Sequence, residues 1–165
     1  MSMLAFVMAA ETTMGPVIKD FGPVFSVKHH AAIPADVLLK AVFDEHTAPE
    51  PGIVNPQVER VARYLNMHAQ AGIDVKRMRL AMVLHGAATR YALSDTAYQQ
   101  HFKVADKTNR LLDELIKAGV KVYVCGQSYN AFGYSEQELR PGVQEALSAM
   151  TELTVLQQEG YALIP

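Results

Sequence analysis

Hydrophobic residues along the chain fall into two patterns. Three short runs are nearly continuous: Val37-Leu-Leu-Lys-Ala-Val-Phe43, Leu80 to Leu84 within Arg79–His85, and Val120 to Cys125. A strand that is apolar at successive positions is buried on both faces, as in a parallel sheet. Val143–Leu147 and Tyr161–Ile164 read as two further strands. Between these runs the spacing changes to the helical one. Asn55-Pro56 supplies a cap and a first-turn proline, and Val58, Val61, Ala62, Leu65 and Ala69 line one face before Gly72. Ser94 caps a helical region running, broken or unbroken, to Ala118. Its apolar face is Leu111, Leu112, Leu115 and Ile116, and Gly119 is its stop. Ser135 and Glu138 have capping-box spacing, which predicts a short helix. Met150–Gln158 is the last helix before Gly160, and Gly126 to Gly133 reads as a loop.

Strands that alternate with helices imply crossover connections. The expected fold class is therefore α/β: three layers, a mainly parallel sheet of about five strands, and helices on both faces. Residues 37–165 make a single domain of this kind. Residues 1–36 form an N-terminal arm broken by Gly15-Pro16, Gly22-Pro23 and Pro34, with Val17-Ile18 and Val24-Phe25 as apolar islands able to anchor it. Met1 to Ala10 is almost wholly apolar and ends in small residues. It reads either as the remnant of a signal peptide, which favours a periplasmic location over the cytoplasmic alternative, or as an N-terminal strand or arm that packs on the domain or on a partner subunit.

Composition narrows the function classes. The 165 residues suit one domain, and 50% hydrophobic with 19% charged is ordinary globular composition. A net charge of −2, with Lys and Arg scattered, gives no footprint for nucleic acid. No apolar stretch reaches the roughly 18 residues of a membrane span. The six histidines show no metal-ligand spacing, and one thiol is too few for a structural zinc site, so neither metal nor organic cofactor is expected. No phosphate-binding or nucleophile-elbow motif occurs.

Chemistry is expected at the carboxyl ends of the strands, where open α/β sheets bind ligands. One strand ends in His85-Gly86-Ala-Ala-Thr-Arg90 and the next in Cys125-Gly126-Gln127-Ser128-Tyr-Asn130. If these strands are neighbours, His85 and Cys125 face one crevice. A thiolate there is a nucleophile whose pKa falls beside helix starts or cations. Gly86 and Gly126 would let backbone N–H groups approach a bound anion or sulfur, and Arg90 or His85 would add positive charge. The plainer readings stand beside these. A lone cysteine often only packs. Gln127, Ser128 and Asn130 serve equally well as turn residues bonded to their own backbone, and Arg90 as a solvated side chain.

The stretch Val-Lys-Val-Tyr-Val-Cys125-Gly-Gln-Ser resembles the DsrE/DsrF-like (YchN-like) family of small sulfur-relay proteins. The strand end Leu84-His85-Gly86, the helix Leu111 to Gly119, Gly142-Val-Gln-Glu-Ala-Leu-Ser and the closing Tyr161-Ala-Leu-Ile follow in matching order. The resemblance covers Val37 to Pro165. It implies a parallel α/β fold and a homo-oligomer, often a trimer or hexamer. It also implies a cysteine at the Cys125 position that accepts a persulfide sulfur and passes it on between donor and acceptor proteins. Two functions follow as expectations. One is a sulfur carrier working through a Cys125 persulfide. The other is a non-catalytic oligomeric binding protein in which Cys125 merely lines the crevice.

Overall fold

The computed structural model describes residues 11–165, so the signal-like stretch Met1–Ala10 lies outside the described residues. A two-strand antiparallel ribbon, β1 (Thr12–Thr13) with β2 (Val24–Phe25), comes first. The main sheet follows: β3 (Leu39–Glu45), β4 (Met78–Leu84), β5 (Lys121–Cys125), β6 (Val143–Ala146) and β7 (Ala162–Ile164). Its order is β6-β5-β4-β3-β7, and every neighbouring pair is parallel.

The two faces are filled by alternate residues of the same strands, because successive side chains of a strand point to opposite sides. On one face Phe43, Leu80, Met82, Leu84, Val122 and Val124 meet α1 (Pro56–Gln70) and, later in the chain, the helix at Asn109–Lys117. On the other, Val42, Ala81 and Val83 meet Leu156 and Tyr161, with Leu156 in the closing helix Ala149–Gln158. The central strand β4 is buried on both sides. That is the physical reason its stretch Leu80 to Leu84 is apolar without a break.

α1 starts as its sequence implies: the Asn55 side chain accepts from the Gln57 N–H at 2.8 Å, with Pro56 in the first turn. The region capped by Ser94 is two helices, α2 (Asp95–Phe102) and α3 (Asn109–Lys117). The break begins at Lys103, whose φ of 59° is left-handed. The Asp106 carboxylate then accepts from the Thr108 N–H at 2.8 Å before the chain re-enters a helix. The expected loop at Gly126–Gly133 is corrected: Gly126–Ala131 is a short helix, α4, that starts directly at the end of β5. Ser135 and Glu138 do form a capping box, but around one 3₁₀ turn, Glu136–Glu138. The closing helix Ala149–Gln158 is α5. Among the described residues no helix is long and apolar enough to cross a membrane.

The described part of the arm is pinned to α1 by one buried amide. Asn66 Oδ1 accepts from the N–H groups of Val17 (3.1 Å) and Ile18 (2.8 Å). Its Nδ2 donates to the carbonyls of Ile18, Phe21 and Gly22. Ile18 and Val24 are buried, so both apolar islands do anchor the arm. An Asn66→Ala chain is expected to lose on the order of 3 kcal/mol in urea unfolding, because it leaves several buried backbone groups unpaired. Limited proteolysis should then cut within residues 11–25 faster than in wild type.

Candidate functional site

The register of the sheet brings three chain segments out at one level. Glu45 pairs with Leu84, and Leu84 with Val124. His46, His85 and Cys125 are therefore the next residues on three adjacent strands. Strand alternation puts Asp44, His85 and Cys125 on the α5 face, because Phe43, Leu84 and Val124 occupy the other. The neighbour relation on which the expected crevice depended is present.

Cys125 closes β5 and is the residue from which α4 starts. It is 5% exposed and packs in the apolar cluster with Val83 and Ala149. Burial alone would push its pKa up. The Ser128 side chain and the backbone N–H groups of Ser128, Ala149 and Gln127 act against that, and together they hold the thiol below its ordinary value. The donors come from the first turns of two helices, where N–H groups have no partner inside the helix. At the start of α5 the Ser148 hydroxyl accepts from Thr151 N–H at 3.0 Å, which leaves the Ala149 N–H to the sulfur.

Two glycines make this arrangement possible. A Cβ on Gly126 would lie 2.7 Å from the Ala146 carbonyl oxygen and 2.9 Å from Glu145 Oε1. Only a bare Cα lets α4 begin against β6. Gly86 has φ +51°, and a Cβ there would stand 3.0 Å from the His46 carbonyl oxygen. Its N–H donates to Ser128 Oγ at 3.4 Å, which links the β4 end to the hydroxyl that acts on the sulfur.

The polar run after Cys125 is largely spent inside the fold. Asn130 Nδ2 donates to the Gly126 carbonyl (2.9 Å) and to Glu145 Oε1 (3.2 Å). Gln127 Nε2 donates to the Leu147 carbonyl at 3.3 Å. The first lies within α4, and the other two fasten α4 to Glu145 of β6 and to the β6–α5 connection. The expected cations are engaged elsewhere. Arg90 donates to the Pro49 carbonyl and lies over the rings of Tyr91 and Phe102, 5.3 and 5.5 Å from their centroids. His85 Nε2 lies 2.6 Å from Asp44 Oδ1, bonded to its carboxylate. Neutral donors, not a positive side chain, are what lower the Cys125 pKa.

Two features lay beyond the sequence reading. The Ala149 N–H was one; Ser148, three residues before Thr151, is the cap signal that marks this helix start. The other is a cluster that no spacing of the histidines along the sequence pointed to. One donor atom each from Asp44, His46 and His85 lie within 4.8 Å of one another. Residues 44 and 46 share a face by strand alternation, whereas His85 comes from the neighbouring strand, beyond the reach of any local spacing rule.

The model of the DsrE/DsrF-like family matches residues 41–165. The chain is similar in structure to MTH1491 from Methanobacterium thermoautotrophicum, described as a protein of unknown function. The TM-score is 0.58 and the identity 20%, over 76% of this chain and 97% of that one. It is also similar to the ychN protein from E. coli, with a TM-score of 0.53 and 20% identity over 76% and 96% of the two chains. At these identities the likeness is one of fold. No curated protein matches the chain.

Two outcomes follow. The rate of alkylation of Cys125 against pH should show a midpoint below that of a free thiol (about 8.5), and Ser128→Ala should move it upward. A thiol held low in the fold stabilises the folded state above its ordinary pKa, and that contribution is lost as pH falls through the folded value. Gly126→Ala should destabilise the chain by roughly 1–3 kcal/mol in denaturant melts, since the clash is with backbone.

Proposed function

From a chain that belongs to the DsrE/DsrF-like family, we propose a sulfur carrier that holds a sulfane sulfur as a persulfide on Cys125. The observation that carries this reading is a buried thiol at a strand end, with four hydrogen-bond donors acting on it and a pKa held below the ordinary range. A thiolate is the attacking species in sulfur exchange. Donors that stabilise Cys125–S⁻ favour the attacking thiolate and the thiolate that is regenerated when the sulfur leaves.

The transfer balances without an external oxidant. The Cys125 thiolate attacks the outer sulfur of a donor persulfide, R–S–SH. A new S–S bond forms on Cys125, the donor S–S bond breaks, and the donor leaves as its thiolate R–S⁻. Attack by an acceptor thiolate on the outer sulfur of the Cys125 persulfide reverses the sequence and regenerates the thiolate. No metal or organic cofactor enters these steps. Ser128 and the Gln127 N–H hold the anion. Gly126 and Asn130 position α4, and Gly86 supports Ser128 from the β4 end. His85 and Arg90 shape the surrounding loops. The partners are a sulfur donor and a sulfur acceptor. A homo-oligomer, trimer or hexamer, belongs to the same reading, and the exposed Leu147 and Met150 beside the site suit contact with another protein surface.

The burial of Cys125 favours a second reading, an oligomeric binding protein whose cysteine only lines the crevice. Intact-mass measurement separates the two. After incubation with a persulfide donor, wild type should gain the mass of one sulfur atom, reversibly with a thiol reductant, and Cys125→Ser should gain none. An unchanged wild-type mass, under conditions that load an established carrier, would reject the sulfur-carrier reading.

A further inference from the structure

The group formed by Asp44, His46 and His85 lies beyond the thiol chemistry. We propose that it is a binding site for a divalent first-row transition ion of the zinc class, held by two imidazoles and one carboxylate. Three observations support this. The three donor atoms already lie within 4.8 Å of one another. They come from the carboxyl ends of the adjacent parallel strands β3 and β4, whose register is set by seven paired positions. And the close approach of the β4 turn to His46 depends on Gly86, where a Cβ would stand 3.0 Å from the His46 carbonyl oxygen.

The chemistry of the donors selects the ion. Two imidazoles and a carboxylate suit zinc and its transition-metal neighbours, whereas calcium and magnesium take oxygen donors. Tetrahedral ligands on zinc stand about 3.3 Å apart, from bond lengths near 2.0–2.1 Å. The Asp44–His85 contact, at 2.6 Å, must open slightly. The His46 imidazole must swing inward, and it is exposed and free to do so. Its ring centroid is 5.6 Å from that of His85, with the planes 31° apart. The neighbouring carboxylate does not compete for the ion. Glu45 points to the opposite face, where Arg60 Nε donates to it at 3.1 Å. Three protein ligands leave at least one coordination position open to a water or a small anion. Sites that bind or activate a ligand have this arrangement, whereas purely structural zinc sites are closed.

The test uses the full chain carrying Cys125→Ser, so that the thiol cannot contribute, stripped with a chelator and titrated with Zn²⁺ by calorimetry. The expected result is saturable binding of one ion per chain. His46→Ala should weaken it by at least about tenfold, comparable to or larger than the loss of an outer-shell partner. His85→Ala should do the same, and His30→Ala, an exposed histidine of the arm, should change nothing. Because the His46 side chain is exposed, its loss does not threaten folding, and circular dichroism confirms that for each variant. Two results would overturn the proposal: no saturable binding, or binding of equal strength in His46→Ala. The use of Cys125→Ser keeps the outcome separate from that of the sulfur-carrier reading.

Discussion

Parallel pairing in one register constrains everything else in this molecule. β3, β4 and β5 are hydrogen-bonded so that Glu45, Leu84 and Val124 form one row. Because the strands are parallel, their carboxyl ends come out together and on the same edge. Asp44, His85 and Cys125 share a face for a second reason, the two-residue alternation of a pleated strand. A slip of one residue between β4 and β5 would turn Cys125 toward α1 and α3 and separate it from both helix starts. The apolar fill on the two faces makes such a slip costly, since Val122 and Val124 would exchange places with Tyr123 and Cys125.

At the thiol the fold sets two opposing effects against each other. Burial among Val83 and Ala149 disfavours a charged sulfur, and the donors from Ser128, Gln127 and Ala149 favour it. The donors prevail because they are preorganised. Two of the backbone N–H groups belong to the first turn of α4 and the third to the first turn of α5, so they point outward whether or not an anion is present. A site of this design needs no cation, which accounts for Arg90 and His85 being bonded to other partners. It depends instead on the placement of α4. Gly126 permits that placement, and the bonds of Asn130 to Glu145 of β6 and of Gln127 to the Leu147 carbonyl secure it.

The same edge of the sheet carries two chemically distinct groupings. The thiol site lies between β5, β6 and the starts of α4 and α5. The Asp44–His46–His85 grouping lies between β3 and β4. They meet at Gly86, whose backbone passes close to His46 and whose N–H reaches Ser128. A change at one grouping therefore has a short path of packed backbone and one hydroxyl to the other.

The sequence by itself determined the fold class, the number of strands in the sheet and most element positions. Apolar runs, helical periodicity and caps such as Asn55-Pro56 are local signals that the structure repeats to within a few residues. It also singled out Cys125 as a strand end, and the family resemblance agrees with the match over residues 41–165. The break at Lys103, the helix Gly126–Ala131 and the Ala149 donor were decided by tertiary structure. Propensity in Gly-Gln-Ser-Tyr-Asn is weak, and what makes it helical is the fit of a side-chain-free Gly126 against Ala146. The meeting of Asp44 and His46 with His85 likewise needed the folded chain. Distant residues become neighbours only through strand register, and register is the joint product of packing on both faces of the sheet rather than of any one stretch of sequence.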